Sequence, residues 1–151
     1  MLMDFTSSSK WGGCLALLVG LMGLPVWAQS PLERLNLSPG FSIKEVDGYT
    51  AGSVPLTSIE NYSPNGLPCL GYANSEPDHI MVLQQDFSNL SLQVVDGNAD
   101  DLALLIKGPN GKIVDCGDST ATPSRWMAGQ YQVWVGSVDG TQLDYTLRAQ
   151  E

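Results

Sequence analysis

Residues 102–107 read LALLIK, six residues with one polar side chain at the end, and Gly108-Pro109-Asn110-Gly111 stops the run abruptly. An apolar run this short, bounded by turn residues, is a strand rather than a helix. Apolar side chains at both parities fit a strand that is covered on both faces. The turn leads into residues 112–116 (KIVDC), so the two runs form a hairpin.

The flanking sequence repeats this grammar. Residues 41–46 (FSIKEV) alternate loosely before Asp47-Gly48, which reads as a turn. Residues 54–59 are a weaker strand candidate, and residues 60–70 (ENYSPNGLPCL), with two prolines and a glycine, read as loop. Residues 79–85 (HIMVLQQ) and 90–95 (LSLQVV) are strands, the latter with Leu90, Leu92 and Val94 at period two. Ala128-Gly129 introduces residues 131–135 (YQVWV), and Asp139-Gly140 precedes residues 143–148 (LDYTLR). No amphipathic helix competes. About seven or eight short strands at regular spacing predict an all-β fold, an antiparallel β-sandwich or jelly roll, with a barrel as the structural alternative.

The N-terminus has a different character. Lys10 precedes an uncharged run over residues 11–26, and Val26-Trp27-Ala28 places small or aliphatic residues at −3 and −1 before Gln29. This is the pattern of a secretory signal peptide over residues 1–28, cleaved after Ala28. The alternative is an uncleaved anchor. At about 16–18 residues, broken by glycines and a proline, the run is short for a span of ~20 residues, and cleavage is favoured. Cys14 sits near the start of the run, not after it as a lipidation cysteine would, and is lost with the leader. Residues 29–40, with two prolines, read as a flexible tether, leaving 41–151 as the folded domain. The expected location is periplasmic or extracellular, with no membrane attachment after cleavage.

Sixteen carboxylates against 7 basic residues give a formal charge of −9, while 43% hydrophobic residues suffice for a core. Such a surface repels phosphate backbones and anionic headgroups, so nucleic acid is excluded as a partner. Two cysteines, Cys69 and Cys116, remain after the leader, and in an oxidising compartment they are expected to pair. Metal binding by these two alone is unattractive, because the single histidine, His79, has no ligand-like spacing to either.

In order along the chain stand PCLGYANSEPDHIMVLQQDFSNLSLQVV, DLALLIKGPNGKIVDCGDS, AGQYQVWVGS and DYTL. Residues 67–147 thereby resemble the bacterial pre-peptidase C-terminal (PPC) type of domain, in the form common in cyanobacterial exported proteins. The resemblance rests on a Cys-x-Gly-Tyr start, Pro-Asp-His before a strand, an apolar strand ending in Gly-Pro-x-Gly, and Gly-x-Tyr-x-Val-Trp-Val-Gly. It implies a β-sandwich acting as an accessory module, a type often found beside secreted peptidases. Within these 151 residues no peptidase segment is expected beside the domain. Family members often carry adjacent acids after the second cysteine, where this chain has Asp115-Cys116-Gly117-Asp118.

Candidate chemistry is sparse. A Ser-His-Asp or Cys-His site must use His79, and there is no Gly-x-Ser-x-Gly elbow and no phosphate-binding Gly-rich loop. Beside Asp78 at a strand start, His79 reads as a structural imidazole. Asp96, Asn98, Asp100 and Asp101 place oxygen ligands in one turn, which suits a hard cation such as Ca²⁺. Asp101 and Lys107 break the EF-hand pattern, and an ordinary polar turn is the favoured reading. Asp115 and Asp118 would join such a site only if the disulfide drew their turn close. Trp126, Tyr131, Trp134 and Tyr145 are candidate ligand-stacking aromatics, with Trp134 expected to be exposed on the polar face of its strand. Three Asn-x-Ser sequons, at Asn36, Asn61 and Asn89, matter only in a eukaryotic secretory pathway and are discounted.

The expected function is therefore an exported, non-catalytic binding or accessory module contacting an extracytoplasmic protein, peptide or polysaccharide, with calcium as a supporting ion in one variant. A small secreted hydrolase using His79, or an envelope protein with no ligand, is the alternative.

Overall fold

In the computed structural model, which describes residues 32–95 and 98–151, the LALLIK run is strand β7 (Leu102–Lys107), buried on both faces. Its neighbour β10 (Gly129–Ser137) is the hub of the larger sheet. One flank of β10 pairs with β5 (His79–Leu83) and then, at Ser137, with β4 (Tyr72–Ala73); the other flank pairs with β7. Beyond these lie β1 (Glu33–Leu37) on β5, β8 (Ile113–Cys116) on β7 and β3 (Val54–Pro55) on β4. The second sheet runs β2 (Lys44–Tyr49), β11 (Asp144–Gln150), β6 (Ser91–Val94), β9 (Thr120–Ala121). The only helices among the described residues are one turn, α1 (Leu56–Ile59), and a 3₁₀ turn (Ala99–Asp101), neither long enough to cross a membrane.

The protein is thus an all-β, two-sheet sandwich, as expected. Two expectations need correction. Residues 33–37 are not tether: Leu35 and Leu37 alternate with exposed neighbours, are buried, and seat β1 in the larger sheet. That sheet is also mixed, because β1 runs parallel to β5, with Glu33 opposite His79. The other pairings are antiparallel. Residues 1–28, expected from the sequence to be a signal peptide, lie outside the described residues.

Period-two alternation builds two cores. Leu102, Leu104 and Ile106 of β7, with Tyr131, Val133 and Val135 of β10, meet Leu92, Val94, Tyr145 and Leu147 of the second sheet. On the opposite face, Ala103, Leu105 and Trp134 meet Leu56 and Cys69. The segment expected to be a weak strand over 54–59 is where this cover begins. Val54 and Pro55 pair briefly with β4, and the chain then turns helically, so that Leu56 and Ile59, three apart, face the sheet together. Lys107 fastens the cover by donating from Nζ to the Ile59 carbonyl at 2.9 Å, with Glu60 beside it at 3.5 Å.

Cys69 and Cys116 form a disulfide that ties the cover to β8 across 47 residues of sequence. A loop of that length contributes about 4 kcal/mol on the chain-entropy account. Cys69 and Cys116 are expected to resist alkylation without prior reduction, as read by mass spectrometry. Cys69→Ser with Cys116→Ser should lower the melting temperature by well over 10 °C; an unchanged midpoint would contradict the clamp.

Candidate functional site

A cleft opens where β1 and β2, an edge strand from each sheet, approach one end of the sandwich. It has a volume of about 840 Å³ and is lined by Glu33, Asp47, Gly48, Tyr49, Glu76, Asp78, His79 and Tyr145, among others. Four of these are carboxylic acids, and none of the lining residues is Lys or Arg.

His79 forms part of the cleft wall for a structural reason. It occupies the same parity of β5 as Met81 and Leu83, so its ring points between the sheets and is 3% exposed. There Nε2 lies 2.7 Å from the Tyr145 hydroxyl, a link from one sheet to the other, with the rings edge to face. Nδ1 has no partner among the described residues. Burial lowers the His79 pKa from 6.5 to about 4, so the imidazole is neutral at ordinary pH. Burial, and then the charges of Asp78 and Glu33, push the Tyr145 phenol well above its usual range. The pair is a buried hydrogen bond between neutral groups.

Gly48 permits it. Sequence reading took Asp47-Gly48 as a turn, but both lie inside β2, where Gly48 pairs with Tyr145. A Cβ at Gly48 would stand 2.5 Å from Tyr145 Cζ and Oη, so the ring can lie there only because no side chain does.

Asp78 is similarly committed. Along β10, β5 covers residues 129–133 and β4 bridges only Ser137, leaving the Val135 amide without a strand partner on that flank. Asp78 Oδ2 accepts that N–H at 2.9 Å, and Oδ1 accepts from Asn74 Nδ2 at 2.9 Å. Burial raises the Asp78 pKa, and the two hydrogen bonds work against that rise. The Pro-Asp-His motif therefore splices β10 to its two neighbours and joins the sheets. The remaining acids are less constrained: Glu33 and Glu76 are exposed, and Asp47 Oδ1 accepts from Thr146 Oγ1. Tyr49 presents an aromatic ring that is 53% exposed.

The aromatics expected to stack on a ligand are enclosed. Trp126 is fully buried and donates from Nε1 to the Leu90 carbonyl; Tyr131, against it, donates to the Met127 carbonyl. Tyr145 is the inter-sheet link. Trp134, expected to be exposed, is 4% exposed, because the cover around Leu56 and Cys69 seals the face that its strand pattern left polar.

Of the candidate cation ligands, Asp96 lies outside the described residues. Asp100 and Asp101 belong to the exposed 3₁₀ turn, and Asn98 donates its amide N–H to Asp101 Oδ2 at 3.1 Å. Among the described residues, no three His, Cys, Asp or Glu side chains gather closely enough to hold a metal ion. Asp100 and Asp118 do line one groove beside the disulfide, an arrangement foreseen only conditionally from the sequence. Sequence reasoning missed Glu33, Asp47, Tyr49 and Glu76, which come from three separate segments without a shared motif.

No protein-family model matches the chain, and no curated protein matches it.

Two outcomes are expected. Because the folded-state pKa of His79 lies below 6.5, the unfolded chain binds its proton more readily. The stability held above pH 6.5 is therefore lost as the pH falls through about 4, by about 3 kcal/mol in total. The raised Asp78 acts with the opposite sign. Urea unfolding of His79→Gln should lose much less over this window than the native protein does; parallel pH curves would contradict the assignment. Gly48→Ala should displace the Tyr145 ring and destabilise by about 1–3 kcal/mol, with a changed tyrosine signal in near-ultraviolet circular dichroism.

Proposed function

We propose that this chain is an exported, non-catalytic binding or accessory module: a β-sandwich of the jelly-roll, PPC-like kind that recognises a basic group on an extracytoplasmic protein or peptide. The observation that carries this reading is the acidic cleft, with Glu33, Asp47 and Glu76 around the exposed ring of Tyr49 and no cation among its described lining residues. A lysine or arginine side chain entering it meets carboxylates and an aromatic face together, a favourable setting for a cation. The overall charge of −9 draws such a partner in and repels nucleic acid.

Other expected contacts have less support. A polysaccharide platform needs aromatic faces in the open, and Trp126, Tyr131, Trp134 and Tyr145 are buried. A hydrolase needs an imidazole free to take a proton from a nucleophile. Here Nε2 is engaged with a phenol whose pKa is raised, not lowered. In this reading the turn containing Asn98, Asp100 and Asp101 acts as polar loop rather than as a calcium site. The resemblance to PPC domains supports an accessory role, and the leader pattern supports export to the periplasm or beyond.

Calorimetric titration of the oxidised protein with a blocked peptide of glycine, lysine and arginine tests the cleft. Binding is expected to weaken as salt rises, and to fall by about tenfold in Glu33→Gln with Glu76→Gln, both exposed positions whose exchange leaves folding intact. Equal affinity in the double variant would remove the cleft from the account.

A further inference from the structure

A second concave surface lies beside the disulfide and differs in chemistry. The groove, about 620 Å³, has one wall from Leu67, Pro68 and Leu70 of the cover, and another from the Cys116–Ser119 turn. Leu102, almost fully buried, and Val138 also line it. Leu67 is 66% exposed, Leu70 61% and Val138 49%. Large aliphatic side chains gathered in one open groove mark a contact surface more often than residues scattered singly do. The charged residues in its lining are Asp100 and Asp118, both exposed, with no Lys or Arg among the described lining residues.

We infer that this groove docks an extended segment of a partner protein, in which a bulky apolar side chain stands next to a lysine or arginine. The apolar side chain would fill the space between Leu67, Leu70 and Val138, while the cation meets Asp100 or Asp118. Charge complementarity selects this occupant over a second copy of the chain, since two copies would bring acidic rims together at −9 each. The Cys69–Cys116 bond joins the two walls, so the groove is held open before the partner arrives, which limits the ordering cost of binding. Strand addition along the nearby edge of β8 is disfavoured, because Asp115 Oδ1 already accepts the Cys116 N–H at 2.9 Å. Recognition at this site therefore works through side chains in the groove. It is independent of the acidic cleft, which lies elsewhere on the molecule and is lined by a wholly different set of residues.

The test uses the oxidised protein and three blocked peptides: lysine–leucine–leucine–lysine, the same with glutamates for lysines, and the same with serines for leucines. Affinities are read by calorimetry. The first peptide should bind most tightly, with affinity falling by about tenfold in Val138→Asp or Leu70→Asp and by about threefold in Asp118→Asn. All three positions are exposed, and unchanged melting temperatures would show the variants folded. Measured in the Glu33→Gln, Glu76→Gln background, which removes the two exposed acids of the other cleft, the loss in Val138→Asp should persist, which separates failure here from failure of the cleft reading. No binding of the first peptide, equal binding of the glutamate peptide, or full affinity in Val138→Asp would overturn the proposal. Concentration-dependent dimers abolished by Val138→Asp would overturn it in favour of a self-interface.

Discussion

Everything in this sandwich depends on burying the β7–β10 pair on both faces. Most sheets in two-layer β proteins need an apolar layer on one side and keep water on the other. Here Ala103, Leu105 and Trp134 require a second layer, and the chain supplies it without a third sheet: one helical turn, a loop, and Cys69. The cover holds its own shape through backbone hydrogen bonds such as Cys69 N–H to the Asn61 carbonyl and Leu56 N–H to the Gly71 carbonyl. It is fastened to the sheet by the disulfide, by Lys107 and by the short β3–β4 pairing. Because the middle of the larger sheet is closed on both sides, concave surface survives elsewhere: where the two edge strands β1 and β2 come together, and where the cover meets the turn after β8.

Much of the architecture was legible because it follows period and punctuation. LALLIK followed by Gly-Pro-Asn-Gly is a strand and a turn in any context, and its apolar residues at both parities already required two covers. Strand β1 was missed because prolines flank it, although Leu35 and Leu37 carry the two-residue alternation of a half-buried strand. Trp134 was misplaced for an instructive reason. Its parity was assigned correctly to the face opposite Tyr131 and Val133, but that face was assumed to be wet. Whether a face is wet depends on a loop distant in sequence, and no local pattern reports that. The Gly48 error has the same origin: Asp-Gly is a strong turn signal, overridden here by the space that Tyr145 needs.

The site was less legible than the fold. His79 was read as a structural imidazole beside Asp78, but the tasks of the two, an inter-sheet hydrogen bond and a splice at the Val135 amide, emerge only from the pairing of β5, β10 and β4. The acids of the cleft are converged by topology alone. Glu33 arrives on β1, Asp47 on β2, and Glu76 on the connection before β5. With His79, Asp78 and Tyr145 engaged in holding the frame and three exposed acids brought to one cleft, the molecule offers charge on a stiff support. That is the physical content of the proposed accessory role.

The most direct test of that idea is to map the amide and side-chain NMR shifts of the isotope-labelled, oxidised protein as a blocked lysine-rich peptide is added. Recognition by a built site predicts that shifts saturate and concentrate at Glu33, Asp47, Tyr49 and Glu76, leaving exposed acids outside the cleft, such as Asp86 and Asp101, nearly unmoved. Weak, non-saturating shifts spread over every exposed carboxylate would show that the negative charge serves solubility alone, and the account of a recognition cleft would be wrong.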